Sequence, residues 1–357
     1  MKKRIIAVLA AAVMLTAAAV PASVSAEGTG AAKTTDEENA KSYKVGTVIE
    51  QDNLVFVVYD KEDPRLTVKR WDVDYDEVEI PETVDGLVVD AISSSAFDGK
   101  KNLKKVTLPS TIREIDSYAF HDCTSLRSIN LHSGIESMGS LAFSGCKKLG
   151  NVRLSRNLSY IGEALFQACG YMDSISVPGS LENVSGHLGQ MITHLYTLRF
   201  CSGVKKIVSD TSLNNYYQKR IIIPPSAEEL ESHCVGYRYE ERDYAGITDA
   251  VIYGAKGSAA ENYARENGIP FYDFDFKYGD LDNNGKINAV DASLVLYEYT
   301  LRGTGDGKGR LSGASELKAD LNDDFVINAV DASIILQYYA AISSGSDYTP
   351  EEFFFCS

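Results

Sequence analysis

A period of 23 residues constrains the fold of this chain more than any other feature. Between positions 108 and 199 the sequence divides into four rows: LPSTIREIDSYAFHDCTSLRSIN, LHSGIESMGSLAFSGCKKLGNVR, LSRNLSYIGEALFQACGYMDSIS and the less regular VPGSLENVSGHLGQMITHLYTLR. Each row supplies one short L-x-x-I-x-L strand and an A-F turn. Because one row can bury its apolar face only against its neighbours, the period predicts a solenoid.

The rows resemble the BspA-type leucine-rich repeats of bacteria. The resemblance is carried by the pattern I-x-x-I-x-x-x-A-F-x-x-C at 112–123, which recurs in the next two rows with Met138 and Leu165 as substitutions. The segment YGAKGSAAENYARENGIPF at 253–271 is similar to the closing unit of that family. The resemblance implies a leucine-rich repeat domain over 80–274 behind a β-rich cap over 44–79. The number of rungs between 200 and 245 stays open.

Two columns of outward residues should lie on the strands of the solenoid, between the buried positions. Solenoids bind through such extended faces, and these side chains suit hydrogen bonding to a polymer or a protein. A face that contacts only solvent is the alternative. The two columns are Lys105, Ser128, Asn151, Ser174 and Thr197, and Thr107, Asn130, Arg153, Ser176 and Arg199.

The cysteines follow the same period in part. Cys123, Cys146 and Cys169 recur every 23 residues, which favours a column of small buried side chains over disulfide pairing. The other three, Cys201, Cys234 and Cys356, have no evident partner in the sequence.

The first residues indicate export. Residues 1–26 have the basic start, apolar stretch and small-residue cleavage site of a signal peptide, and 27–43 form a polar leader. We therefore expect a secreted protein without a membrane anchor. The chain has 35 Lys and Arg against 50 Asp and Glu, a net charge of -15. This charge argues against nucleic-acid binding, which requires a basic surface.

A second repeat lies near the end of the chain. DLDNNGKINAVD at 280–291 and DLNDDFVINAVD at 320–331 share the spacing of a calcium-binding EF-hand loop, with ligands at positions 1, 3, 5, 7, 9 and 12. Gly285 occupies the position-6 turn of the first loop, but Phe325 replaces it in the second, which we expect to be strained or weaker. The candidate ligands are Asp280, Asp282, Asn284, Lys286 (through its carbonyl), Asn288 and Asp291, then Asp320, Asn322, Asp324, Val326, Asn328 and Asp331.

A duplicated loop followed by only one helix resembles the dockerin module of cellulosomes. The resemblance covers 279–345 within a predicted domain of 275–346, followed by a tail over 347–357. It implies two Ca²⁺ ions that fold the module and a cohesin of a scaffold protein as the partner. Either helix could face the cohesin, because the two copies are nearly symmetric. The implied cohesin-contacting residues are Ala289, Val290, Tyr297, Ala329, Val330 and Gln337.

The sequence thus predicts an α+β protein: a β-capped leucine-rich-repeat solenoid followed by a small α-helical dockerin with two calcium-loop/helix repeats. We expect a secreted, non-catalytic cellulosome component whose solenoid binds a protein or glycan during plant polysaccharide degradation. No triad, phosphate-binding or metalloprotease motif is evident. The alternative is a glycoside hydrolase with an unrecognised carboxylate pair in 200–245, since such enzymes need two carboxylates about 5–10 Å apart.

Overall fold

The structure is a computed structural model that describes residues 43–60, 62–184, 187–192, 194–212, 215, 217–240, 243–303 and 309–356. The predicted signal peptide and residues 27–42 of the predicted leader lie outside this part of the chain. Tyr43 is described, and its hydroxyl donates a hydrogen bond to Asp85 at 3.0 Å. Within the described residues, every helix is too short or too polar to span a bilayer.

An antiparallel cap begins the described part of the chain. Strands β1 (Val48–Gln51), β2 (Leu54–Val58) and β3 (Leu66–Trp71) form a meander. The alternating residues Leu54, Phe56 and Val58 of β2 are all buried, as the period of two along a strand requires. Strand β3 then pairs in parallel with β6 (Leu87–Ile92), so the cap continues directly into the repeat ladder.

The repeats form parallel ladders whose partners lie one period apart. Glu114 pairs with Ser137, and Ser137 with Tyr160. The strands of the first half are β4 (Glu77–Glu79), β5 (Thr83–Val84), β7 (Lys105–Thr107), β8 (Glu114–Ile115), β9 (Ser128–Ile129), β10 (Ser137–Met138) and β11 (Tyr160–Ile161).

The second half continues through the region whose rung count the sequence left open. Ser174 pairs with Thr197 and Thr197 with Arg220, but Arg220 then pairs with Val251, because a hairpin is inserted in that rung. The strands are β12 (Ser174–Val177), β13 (Asn183–Val184), β14 (Thr197–Phe200), β15 (Lys206–Ile207), β16 (Arg220–Ile222), β17 (Glu229–Leu230), the hairpin β18 (Tyr237–Glu240) and β19 (Asp243–Ile247), and β20 (Val251–Gly254).

Aromatic stacking fills the interior of the solenoid. The phenylalanines of the A-F turns, Phe97, Phe120, Phe143 and Phe166, are fully buried and stack with centroid separations of 4.9, 5.3 and 5.7 Å. The predicted cysteine column lies beside them. The thiols of Cys123, Cys146 and Cys169 each donate to a phenylalanine carbonyl of the preceding rung at 3.1 Å. Burial raises the pKa of Cys123 and Cys169 to about 12, as expected for thiols packed in an apolar interior.

The solenoid ends in helix α1 (Ala259–Glu266) and strand β21 (Phe271–Asp273). Gly268, with φ 66°, follows the helix where the sequence predicts its end. Helices α2 (Ala289–Gly303) and α3 (Ala329–Ser343) then follow the two loops and pack together, with a 3-10 helix (Gly313–Lys318) between them.

The predicted tail contains a fourth helix, α4 (Pro350–Phe355). Thr349 accepts a hydrogen bond from the Glu352 amide, and the Glu352 carboxylate accepts one from the Thr349 amide. This capping box, with proline at the first helical position, was visible in the sequence TPEE and could have predicted the helix. Phe354 and Phe355 of α4 are buried.

The helical region packs directly on the solenoid within one compact unit, residues 43–357. A second apolar core lies at this junction, separate from the interior of the solenoid. It combines Cys201, Ile222 and Tyr253 of the solenoid with Phe274, Tyr278, Leu321, Ile327, Phe355 and Cys356.

Candidate calcium loops and their junction with the solenoid

The first loop brings three carboxylates together. Oxygens of Asp280, Asp282 and Asp291 lie within 4.8 Å of one another. Asp280 accepts hydrogen bonds from the amides of Asn284 (3.1 Å) and Gly285 (3.0 Å), which hold the loop around these acids. Gly285 has φ 81°, the left-handed conformation expected at the position-6 turn.

The remaining predicted ligands of this loop have other hydrogen bonds. The side-chain amide of Asn284 donates to Asp282 at 2.7 Å. The side-chain oxygen of Asn288 accepts from the backbone amide of Val290 at 2.8 Å, at the start of α2. Lys286 is exposed. The donor set is oxygen, and three clustered carboxylates repel one another without a cation. These residues therefore fit Ca²⁺, which prefers oxygen ligands.

The second loop repeats this frame. Asp331 accepts hydrogen bonds from the amides of Leu321 (2.8 Å) and Asn328 (2.9 Å), as Asp291 does from the equivalent amides of the first loop. Asp324 accepts from the Val326 amide at 2.8 Å and from the Asn322 side chain at 2.9 Å. Burial raises the pKa of Asp331 to about 6, and the neighbouring carboxylates of Asp320 and Asp324 add to this rise.

Asp320, the first residue of the second loop, is shared with the solenoid. Its Oδ2 accepts a hydrogen bond from Arg220 Nη1 at 2.6 Å and another from the Phe325 amide at 3.2 Å. Its Oδ1 is buried and has no hydrogen-bond partner among the described residues. One oxygen therefore remains for a cation, while the negative charge is already partly neutralised by Arg220.

Phe325 explains why the second loop lacks a glycine. The residue has φ 65°, a conformation that costs about 1–2 kcal/mol for a residue with a Cβ. Its ring lies 3.8 Å from the Arg220 guanidinium and contacts Tyr196 edge-on, with a centroid separation of 5.9 Å. The backbone strain that the sequence predicts is thus accompanied by contacts with the solenoid.

A buried arginine forms the centre of the junction. Arg199 is fully buried and donates to both carboxylate oxygens of Asp323, at 2.5 and 3.0 Å. Its guanidinium also lies 3.4 Å from the centroid of Phe355 in α4. Burial alone lowers the pKa of Arg199, but the Asp323 carboxylate outweighs this effect and raises the pKa above its ordinary value. The Arg199 guanidinium therefore keeps its charge despite its burial.

The predicted ligand face of the solenoid is only partly open. Lys105, Ser128, Asn130, Asn151 and Arg153 are exposed, and Thr107 and Ser174 are half-buried. Ser176, Thr197 and Arg199 are buried, so this end of the two columns is not available to a ligand. The helical region covers this end of the face, as the contacts of Arg199 show.

The candidate cohesin-contacting residues are not covered by the solenoid. Val290 and Val330 are 53% and 52% exposed, and the remaining members, Ala289, Tyr297, Ala329 and Gln337, are exposed as well. The first turns of α2 and α3 therefore present the same Ala-Val pair to solvent.

The region 200–245 shows no free carboxylate pair in its described part that is arranged for hydrolysis. Glu229 and Glu231 lie near each other, but each is paired with Lys206 Nζ at 2.7 Å. The hydrogen bond from Lys206, with others from Ser209, lowers the pKa of Glu231 to about 2. A general acid must instead hold its proton near neutral pH.

Comparisons with known proteins agree with this architecture. Residues 90–219 match the BspA type leucine rich repeat region in 6 copies, and residues 278–341 match the dockerin type I domain. The chain contains a BspA-type leucine-rich repeat region and a dockerin type I domain. Both predicted resemblances and the predicted fold class are confirmed. Neither family is catalytic, which is consistent with a non-enzymatic role.

Solved structures of bacterial leucine-rich repeat proteins are similar to part of this chain. A leucine rich cell surface protein of Faecalibacterium prausnitzii A2-165 is 17% identical with a TM-score of 0.46, over 60% of this chain and 65% of that protein. The leucine rich repeat protein of T. pallidum is 22% identical with a TM-score of 0.44, over 63% and 98%. This chain covers less than two thirds of the F. prausnitzii protein. No curated protein matches the chain.

Proposed function

We propose that this protein is a secreted, non-catalytic component of a cellulosome-type complex. In this proposal residues 1–26 are removed on export, the dockerin over 275–346 binds a cohesin of a scaffold protein when loaded with calcium, and the solenoid over 80–274 presents a ligand surface. The observation that carries the proposal is the pair of calcium-type loops, each followed by a helix whose first turn exposes Ala-Val.

The exposed Ala-Val pairs favour an apolar contact with the cohesin. Val290 and Val330 lie at equivalent positions with nearly equal exposure, and the solenoid covers neither of them. Both α2 and α3 are therefore accessible to a partner, which supports binding in either of two orientations.

Cohesin binding can be tested with substitutions at these two valines. We expect the full chain to bind a cohesin in calcium and to be released by a chelator. Val290→Asp and Val330→Asp should each retain binding through the other helix, whereas the double variant should lose at least about 100-fold in affinity because both apolar contacts acquire a charge. Val45→Asp, at an exposed site in the cap, is the matched control.

Each outcome of this titration has a defined meaning. Unchanged affinity in the double variant would contradict the proposed contact surface. Loss of binding in one single variant would retain the dockerin function but limit it to one orientation.

For the solenoid we propose binding to plant cell-wall polysaccharide through the open end of its strand face. Asn130 and Asn151 are occupied there by hydrogen bonds to the backbone of neighbouring rungs. Lys105, Thr107 and Ser128 remain as candidate contacts.

A depletion assay tests this part. The full chain is mixed with insoluble cell-wall polysaccharide, and bound protein and released reducing sugar are measured in the same tubes. We expect depletion without sugar release, and weaker depletion for Lys105→Ala with Ser128→Ala. The exposed substitution Lys69→Ala, in the cap, is the control. Sugar release would contradict the non-catalytic assignment, and absence of depletion would direct the search to protein ligands.

A further inference from the structure

Two cysteines that are 155 positions apart in the sequence meet at the junction between the solenoid and α4. Cys201 follows strand β14, and Cys356 directly follows α4. Their sulfurs are 3.9 Å apart, and both residues are buried, with exposed fractions of 2% and 4%. Among the described residues, no other two thiols lie within hydrogen-bonding distance of each other.

The other four cysteines have a different environment. Three donate to phenylalanine carbonyls inside the solenoid, as described above. Cys234 lies in the last rungs, beside Tyr263 and, among the described residues, beyond hydrogen-bonding distance of another thiol. These four act as packing groups, which leaves Cys201 and Cys356 as a separate pair.

We propose that Cys201 and Cys356 form a disulfide that fastens α4 to the solenoid. A disulfide holds its sulfurs about 2 Å apart, so each sulfur has to move by only about 1 Å, through a modest rotation of each side chain. The neighbouring contacts already hold the two segments together. Glu351 of α4 accepts a hydrogen bond from the Ser202 amide at 2.9 Å, next to Cys201.

The oxidant in this proposal is a small-molecule or protein disulfide of the compartment into which the chain is exported. The thiolate of one cysteine attacks a sulfur of that disulfide, forming a mixed disulfide and releasing one thiolate. The second cysteine thiolate attacks the protein-bound sulfur, which forms the Cys201–Cys356 bond and releases a second thiolate. Two electrons pass from the protein thiols to the oxidant, and the two protons go to solvent.

The cross-link would fix the direction in which the dockerin points. The dockerin leaves the solenoid through Phe274 to Tyr278, and α4 returns to the solenoid after α3. With the disulfide, the dockerin is covalently attached at both of its ends. The cohesin-contacting surface of α2 and α3 is then held at a constant angle to the solenoid by a covalent bond, in addition to the non-covalent contacts of Arg199, Arg220 and the junction core.

Mass spectrometry of the full chain tests the proposal. The protein is folded in a mixture of oxidised and reduced small thiols, its free thiols are blocked with N-ethylmaleimide under denaturing conditions, and it is digested without reduction. We expect one linked peptide pair containing Cys201 and Cys356, about 2 Da lighter than the sum of its free peptides. The other four cysteines should carry the label. Label on both Cys201 and Cys356, or a link to another cysteine, would overturn the proposal.

Hydrogen exchange supplies a second readout on the separated oxidised and reduced forms. Reduction should speed exchange of the α4 amides by about tenfold or more, because the helix can then open locally. Cys356→Ser should exchange as the reduced form does under all conditions. Cys234→Ser, a buried cysteine outside the pair, should keep the difference between the two forms. Equal exchange in the oxidised and reduced wild-type chain would show that no restraint of this kind exists.

Discussion

The two loops of the dockerin contain an identical INAVDAS tract but lie in different environments. In the first loop, Asp280 accepts hydrogen bonds from backbone amides alone among the described residues, and Gly285 makes the turn. In the second, Asp320 is paired with Arg220, and Phe325 makes the turn against the solenoid. We therefore expect the first loop to be the better calcium site, whereas the second loop contacts the solenoid and retains the calcium-type frame.

This difference indicates that two copies of one motif within a chain need not perform the same task equally well. Equivalent backbone amides donate hydrogen bonds to Asp291 and Asp331, and these bonds build both loops. What differs is the neighbour, because Arg199 and Arg220 project from adjacent strands of the solenoid onto the second loop only. Four predictions test this contrast.

The largest effect is expected for Arg199→Ala. Removing one partner of a buried ion pair leaves the Asp323 charge uncompensated, and we expect a loss of about 3–5 kcal/mol in the free energy of unfolding of the helical region. Urea unfolding of the full chain, followed by limited proteolysis of the dockerin, measures this loss.

Two further variants define the origin of that loss. Arg127→Ala removes an exposed arginine of the solenoid and should change stability by less than about 0.5 kcal/mol. Arg199→Met with Asp323→Leu removes both charges and should recover most of the loss. A double variant as unstable as Arg199→Ala would show that packing of the guanidinium on Phe355, rather than the ion pair, holds the junction.

Calcium affinity should respond more strongly in the first loop than in the second. Even an outer-shell partner of a metal contributes about 10–100-fold to affinity, so we expect Asp280→Ala to weaken its site by at least about 100-fold. Asp320→Ala should have a smaller effect on calcium, since Arg220 already shares this carboxylate, but it should also loosen the junction. Isothermal titration of both variants with calcium measures the difference. Equal losses would contradict the proposed inequality of the loops.

The sequence contained most of the information needed for the two modules but not for their junction. Periodicity sufficed for the rungs, because each Phe of an A-F turn must stack on the equivalent Phe one rung away. Loop spacing sufficed for the acids, since Asp280, Asp282 and Asp291 must converge once the loop closes. The junction depends on pairs such as Arg199 with Asp323, which lie 124 positions apart and follow no period. The one sequence signal for this junction was Arg199, a charged residue within the strand TLRF.

Substitution of Arg220 tests whether its positive charge weakens calcium binding at the second loop. Arg220→Gln removes the guanidinium charge next to Asp320 but keeps a side-chain amide donor. Because the repulsion between this charge and Ca²⁺ is lost, we expect the calcium affinity of the second loop to rise by roughly tenfold. The same titration, carried out in the Asp280→Ala background, reports on the second loop alone. Lys219→Gln changes a half-exposed lysine beside it and serves as the control. Unchanged affinity would indicate that Arg220 stabilises the loop as much as it competes with the cation.

The smallest effect is expected for Phe325→Gly. Glycine relieves about 1–2 kcal/mol of strain at φ 65°, but the contact of the ring with Arg220 contributes about 0.5–2 kcal/mol, and both disappear together. Stability of the full chain should therefore change by less than about 1 kcal/mol, although calcium affinity of the second loop should rise slightly. Phe325→Ala keeps the strain while losing the ring, and it should be the less stable variant. If the alanine variant matched the glycine variant, strain at this turn would be negligible, and the aromatic contact with the solenoid would be the whole reason that phenylalanine occupies the glycine position.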